Sequence, residues 1–227
     1  MTTSIKTADD STPRVSTEVP ASGLMLKSST MFNARVLVLS TPTGLRVIKD
    51  FSHSPFLVRH TLGRFLIRRE WATLRRLQGV LGVPVDPVRL HALALSYRYV
   101  PGDTLSTVQI SGLPLDQTFF FALEQLVLGL HARGFVHLDL RNGKNILCSA
   151  QGQPCLLDFQ AGVWLGLVPA VLRRPFEAVD MSGVYKWWSR LAPGQMNQDR
   201  TRSLRTANRW RQLWRFNYPD DDHRLRR

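Results

Sequence analysis

The sequence predicts an α+β protein in two lobes, a small β-rich one followed by a compact, mostly helical one. Three observations carry this. Short β-prone runs fill the first hundred residues, with one amphipathic stretch set among them. Apolar residues then recur at helical spacing over 115–133 and in pieces beyond residue 161. Between those helical stretches lies a polar run, His137-Leu-Asp-Leu-Arg-Asn-Gly-Lys-Asn145, that fits neither period. At 227 residues the chain is long for one small domain and short for two full ones. It is read as a leader over 1–22, a first lobe over 23–100 and a second over 101–227, with basic, Trp-rich helices at its end.

The leader is rich in Ser, Thr, Asp and Pro and lacks an apolar signal core, so disorder is expected there. Residues 23–26, 34–39 and 44–48 read as strands, with Thr41-Pro-Thr-Gly44 as a hairpin turn. Over 60–81 the apolar positions Leu62, Phe65, Leu66, Trp71, Leu74 and Leu77 predict a helix, closed by Val83-Pro84. Two more strands are expected over 85–90 and 92–100, up to Pro101-Gly102. A mostly buried helix follows over 115–133. Residues 146–148 and 155–157 read as paired strands across a turn at 149–154. Beyond Ala161 the chain is expected to be mainly helical, with Pro169, Pro175 and Pro193 as breakers.

The formal charge of +13 and isoelectric point near 10.9 favour an anionic partner: nucleic acid, a phospholipid surface or a nucleotide. No stretch approaches the ~20 apolar residues of a membrane span. Cys148 and Cys155 flank the predicted turn, and free thiols are expected.

The polar run and the later Leu156-Leu-Asp158-Phe159-Gln160 place an Asp after a His, an Asn further on, and a second Asp after a hairpin. One base and two hard-oxygen metal ligands are what phosphoryl transfer needs. The pattern resembles the protein-kinase-like superfamily, with its H-x-D-x-x-x-x-N catalytic loop and D-F-G metal loop. The resemblance covers roughly 24–191 and implies a bilobal protein-kinase-like fold using ATP with Mg²⁺ or Mn²⁺. On that match Asp139 is the base, Arg141 steadies the transferred phosphate, and Asn145 and Asp158 hold the metal. Lys49, after Val47-Ile48, would hold the α- and β-phosphates, with Glu70 as its partner on the helix. The competing reading of Glu70 is an exposed carboxylate beside Arg69 or Arg75. The carbonyl of Arg98 and the N–H of Val100 would meet adenine, Asp103 would meet ribose, and Asp180 would brace the catalytic loop.

Departures from the pattern matter as well. The loop from Asp139 to Asn145 is one residue longer than usual, so Asn142-Gly143 must absorb the insertion. Gln160 replaces the Gly of D-F-G. Leu138 stands where regulated kinases carry an Arg, and there is no A-P-E sequence, so control by activation-loop phosphorylation is not expected. In place of a Gly-rich loop, Ser28, Ser29 and Thr30, with Ala34 and Val36, resemble the phosphate loop of RIO-type kinases.

Within the superfamily the chain resembles the small bacterial lipopolysaccharide core-sugar kinases related to RIO kinases. That implies a glycolipid acceptor, an anionic membrane surface as partner and a cytoplasmic place on the inner membrane face. A RIO-like serine/threonine kinase acting on protein or ribosome is the alternative. A nucleotide-binding non-enzyme on the same fold is a third reading, which the full set Lys49, Glu70, Asp139, Asn145 and Asp158 disfavours. Trp164, Trp187, Trp188, Trp210 and Trp214 alternate with Arg173, Arg174, Lys186, Arg190, Arg209, Arg211 and Arg215. This suits either an anionic interface or a packed core with a solvated basic rim.

Overall fold

The computed structural model describes residues 24–27 and 34–213. The leader, the phosphate-loop candidates Ser28, Ser29 and Thr30, and the end of the chain with Trp214 and Arg215 lie outside the described residues. An antiparallel sheet of order β1-β2-β3-β5-β4 forms the first lobe, from β1 (Leu24–Lys27), β2 (Arg35–Thr41), β3 (Gly44–Asp50), β4 (Val88–His91) and β5 (Ala94–Arg98). The β2–β3 hairpin closes at Thr41↔Gly44. Gly44 takes φ +107°, and Thr41 Oγ1 donates to its carbonyl at 2.7 Å. The turn residues read from the sequence do what turn chemistry asks of them.

Between β3 and β4 the chain forms a helical turn α1 (Phe56–Val58), a π turn (Arg59–Gly63) and helix α2 (Arg64–Arg76). The Cβ of any other residue at 63 would lie 3.0 Å from the Phe51 side chain, so Gly63 lets this segment pack on the residue that follows β3. The expected helix end at Val83-Pro84 is corrected here. Helix α2 stops at Arg76 because Gly79 turns into the left-handed region, and Gln78 Nε2 caps the Leu74 and Pro84 carbonyls.

The second lobe begins with β6 (Gly102–Thr104) and α3 (Leu105–Ser111), neither of which the sequence pattern revealed. Helix α4 (Gln117–Ala132) starts at Asp116, whose carboxylate accepts from the Thr118 and Phe119 amides. It buries Phe119, Phe120, Leu123, Leu126, Val127 and Leu130. Strand β6 pairs with β8 (Ile146–Ser149), which pairs with β9 (Pro154–Leu156). The β8–β9 register sets Leu147 against Cys155 and Cys148 against Pro154, and both cysteines are free thiols.

Beyond Ala161 the chain is mainly helical, with one short strand before the helices. Strand β10 (Val163–Trp164) pairs with β7 (Phe135–Val136) before a 3₁₀ turn (Leu165–Leu167), α5 (Ala170–Leu191) and α6 (Gln198–Leu213). Pro175 does not break α5. Proline removes one amide from the helix, and packing of Val184, Trp187 and Trp188 holds the rest. Trp188 is fully buried and stacks on Phe120, so Trp187 and Trp188 belong to the core, not to a surface stripe. One apolar cluster runs from Val38 and Val47 through Ile67 and Leu74 to Phe120, Phe159 and Trp188. Among the described residues no helix is long and apolar enough to cross a membrane.

Candidate active site

Lys49 comes from the middle strand of the sheet and Glu70 from the buried face of α2. Glu70 is 1 % exposed, which rules out the exposed-carboxylate reading. Lys49 Nζ donates to Glu70 Oε1 at 2.7 Å and to Asp158 Oδ1 at 3.1 Å. Burial opposes the Lys49 charge, but Glu70 and Asp158 outweigh it and hold its pKa above the ordinary lysine value. Lys49 is therefore a fixed cation between two carboxylates.

Asp158 sits at φ +62°, a backbone conformation that turns its side chain out of the preceding β-run. Phe159 is fully buried against His137, ring centroids 5.0 Å apart, and against Phe135 at 6.0 Å. The next residue carries a contact that the sequence did not reveal. Gln160 Nε2 donates to Glu70 Oε2 at 2.9 Å, so the same carboxylate is held by Lys49 on one oxygen and by Gln160 on the other.

The loop after β7 is fixed from beneath. Asp180, wholly buried on α5, accepts the His137 amide at 2.7 Å, the Leu138 amide at 2.6 Å and a bond from His131 Nε2 at 3.1 Å. His137 Nε2 lies 3.0 Å from the Leu157 carbonyl, which makes it the donor, and burial pushes the ring pKa down. Leu138 is then free to take φ +63° and present Asp139. Gly183 packs so closely that a Cβ there would lie 2.7 Å from the Leu140 carbonyl carbon. Trp187 Nε1 donates to the Leu140 carbonyl, Lys186 Nζ to that of Arg141, and Arg141 Nη1 to Ser182 Oγ at 3.2 Å.

The extra residue in the loop is absorbed where Asn142-Gly143 stands. Asn142 caps a 3₁₀ turn (Gly143–Asn145) through the Lys144 amide at 3.2 Å, and a side chain at Gly143 would collide with Trp187. Asn145 thereby reaches Asp139, its Nδ2 donating to Oδ2 at 2.7 Å. With its nitrogen so engaged, Asn145 has its amide oxygen left as an acceptor. Burial raises the Asp139 pKa above the ordinary carboxylate value, and the Asn145 bond offsets part of the rise.

The donor set suits a hard cation. Asn145 and Asp158 offer oxygens, and among the described residues no group of three or more His, Cys, Asp or Glu forms a cage of its own. Such a pair holds Mg²⁺ only together with phosphate oxygens and water, which is the mode that small cation favours. The nucleotide candidates are more dispersed. Arg98 ends β5, pairs with Arg46 and turns its guanidinium to Asp86 at 2.6 Å. Val100 lies on the link between the lobes, and Asp103 lies on β6 opposite Cys148, close enough to help raise the Tyr99 pKa, though burial does more.

No protein-family model matches this sequence, and no curated protein matches it. Solved structures do resemble it. The Rio2 kinase from Chaetomium thermophilum aligns with TM-score 0.57 and 16 % identity over 86 % of this chain and 75 % of that one. Its complex with ADP/Mg²⁺ and phosphoaspartate aligns with TM-score 0.54 and 15 % identity over 86 % and 73 %. The chain has the protein-kinase-like fold.

Proposed function

We propose that the chain is an ATP-dependent phosphotransferase acting on an alcohol acceptor. The observation that carries this reading is the double engagement of Lys49 by Glu70 and Asp158, together with the Asp139–Asn145 bond. In this reading Lys49 neutralises the α- and β-phosphates, and Glu70 keeps its ammonium from swinging away. Ser28, Ser29 and Thr30 would meet the phosphates, the Arg98 carbonyl and Val100 amide adenine, and Asp103 ribose. Asn145 and Asp158 would hold Mg²⁺ or Mn²⁺, which supplies positive charge against the transferring phosphate. Asp139 orients the acceptor hydroxyl and takes its proton. Arg141 balances charge that develops on the transferred group. The Rio2 complex with ADP and Mg²⁺ supports the pairing of this fold with nucleotide and metal.

The acceptor we propose is a sugar hydroxyl of lipopolysaccharide core or a related glycolipid, reached from the cytoplasmic side of the inner membrane. A second reading, a RIO-like serine/threonine kinase acting on protein or ribosome, is compatible with the Rio2 likeness. A transfer assay with labelled ATP against lipopolysaccharide core, ribosomes and generic proteins separates the two. Label on core sugar is expected; label on Ser or Thr alone selects the second reading. Asp158→Ala should abolish transfer with the fold intact, and unchanged turnover would overturn the metal assignment.

A further inference from the structure

Helix α5 has one side that the reaction leaves without a use. Its C-terminal half is seated, with Asp180, Ser182, Gly183, Val184, Trp187 and Trp188 buried. Its first ten residues, 170–179, are exposed except for half-buried Phe176 and Glu177. Val171, Pro175 and Val179 stand four apart, with Leu172 beside them, so they share one side of the helix. Arg173, Arg174 and Glu177 fall on the other. Val171 is 79 % exposed, Leu172 41 % and Val179 42 %, and Leu167 in the preceding 3₁₀ turn is 83 % exposed.

The stripe does not stop at Val179. The same steps of three and four lead on to Ser182, Gly183 and Lys186, the residues that touch Leu140 and Arg141 of the catalytic loop. The apolar stripe, exposed among the described residues, and the seat of the catalytic loop are therefore one side of one helix. About 16 Å of helix axis separates Val171 from Ser182.

Charge indicates what covers this stripe. Cations lie beside it, Arg174 along its flank and Arg141 and Lys186 past its C-terminal end, on a chain of formal charge +13. A surface with hydrocarbon beneath a layer of anions complements that order: the apolar side chains enter the acyl boundary while the guanidiniums stay among the headgroups. We propose that the N-terminal half of α5, with Leu167, is an interfacial anchor that seats the protein on an anionic phospholipid leaflet with the catalytic loop facing that leaflet. This deepens the glycolipid reading by bringing Asp139 towards headgroup-level hydroxyls, but the docking itself needs no turnover.

The test is co-sedimentation of the full chain with vesicles of phosphatidylglycerol and phosphatidylcholine, against phosphatidylcholine alone. The wild-type chain should prefer the anionic vesicles by at least tenfold, less so as salt rises. The triple variant Val171→Ser, Leu172→Ser, Val179→Ser should lose roughly tenfold of that partitioning with its melting temperature and ATP affinity kept. Replacing Arg209, Arg211 and Arg215 by Ser should leave most of it. Three results overturn the proposal: the stripe variant binds like wild type, the wild-type chain ignores both vesicles, or sedimentation shows a dimer that the stripe variant dissolves. If vesicles bind through the stripe and no lipid-linked acceptor is phosphorylated, the acceptor reading fails and the anchor stands.

Discussion

Gln160 occupies a position where D-F-G kinases have no side chain at all, and its amide spans from the Asp158 loop to α2. Its bond to Glu70 Oε2 leaves neither oxygen of that carboxylate idle, since Oε1 holds Lys49. A hydrogen bond to a charged group is worth about 1.5–3 kcal/mol, a tenfold effect or more. Gln160→Gly is therefore expected to raise the KM for ATP roughly tenfold, and Gln160→Glu to raise it further by setting two carboxylates together. A purely structural Gln160 would instead lower the melting temperature and leave KM alone. Asp139 gives a second residue-scale prediction with the opposite sign on stability. Its folded pKa is raised by burial, so activity that needs the carboxylate should fall away with acid at a pH above the ordinary Asp value. Ionised Asp139 correspondingly weakens the fold at pH 7. Asp139→Asn should cut kcat by roughly 10² or more without lowering the melting temperature at that pH. The sequence made these side chains visible because Asp139, Asn145 and Asp158 lie in two short motifs. The Gln160–Glu70 bond joins residues ninety apart, and no local pattern carries it.

At the scale of elements, amphipathic periodicity was legible where one face meets one core, as in α2 and α4. It failed for α5, which is exposed in its first half, buried on several sides in its second, and interrupted by a proline that packing overrides. Short pieces such as β6, β10 and α3 exist because neighbours complete them, so they lack a period of their own. Docking of α6 onto α4 rests on a cluster of the same kind. Arg200 donates to both Glu124 oxygens, at 3.0 and 2.6 Å for the closest contacts, and lies over the Phe121 and Trp188 rings. Burial raises the Glu124 pKa, but the bonds from Arg200 and Tyr185 outweigh it and the net shift is downward. A depressed folded pKa stabilises at neutral pH, and that stability is lost as pH falls through it. Arg200→Ala should cost about 1.5–3 kcal/mol by denaturant titration at pH 7. The difference from wild type should shrink as Glu124 protonates in acid, and a pH-independent difference would mean that ring packing alone holds α6.

Across the whole molecule, a shared apolar cluster joins the two lobes, and several polar and ring contacts among the described residues also cross between them. Lys49 reaches Asp158, Arg69 donates to the Gly162 carbonyl, Arg76 lies over the Trp164 ring, and the Leu156 amide bonds the Gly82 carbonyl. The link itself is pinned at Gly102, where β6 meets β8. A Cβ there would lie 2.1 Å from the Cys148 carbonyl oxygen and 2.7 Å from the Ser149 Cα, both backbone atoms with no rotamer to yield. Gly102→Ala must therefore move the strand that carries Asp103 and the end of the interlobe link. We expect a loss of about 3 kcal/mol, the upper range for overpacking, together with a severalfold rise in the KM for ATP. Gly112→Ala is the matched control. Gly112 also has positive φ, at +68°, but a Cβ there meets nothing within 4 Å. Its cost should stay near 1 kcal/mol, the penalty of the left-handed backbone alone, with nucleotide KM unchanged. If both variants lose stability equally and neither alters KM, Gly102 serves only its turn, and the nucleotide cleft does not depend on how the link is seated.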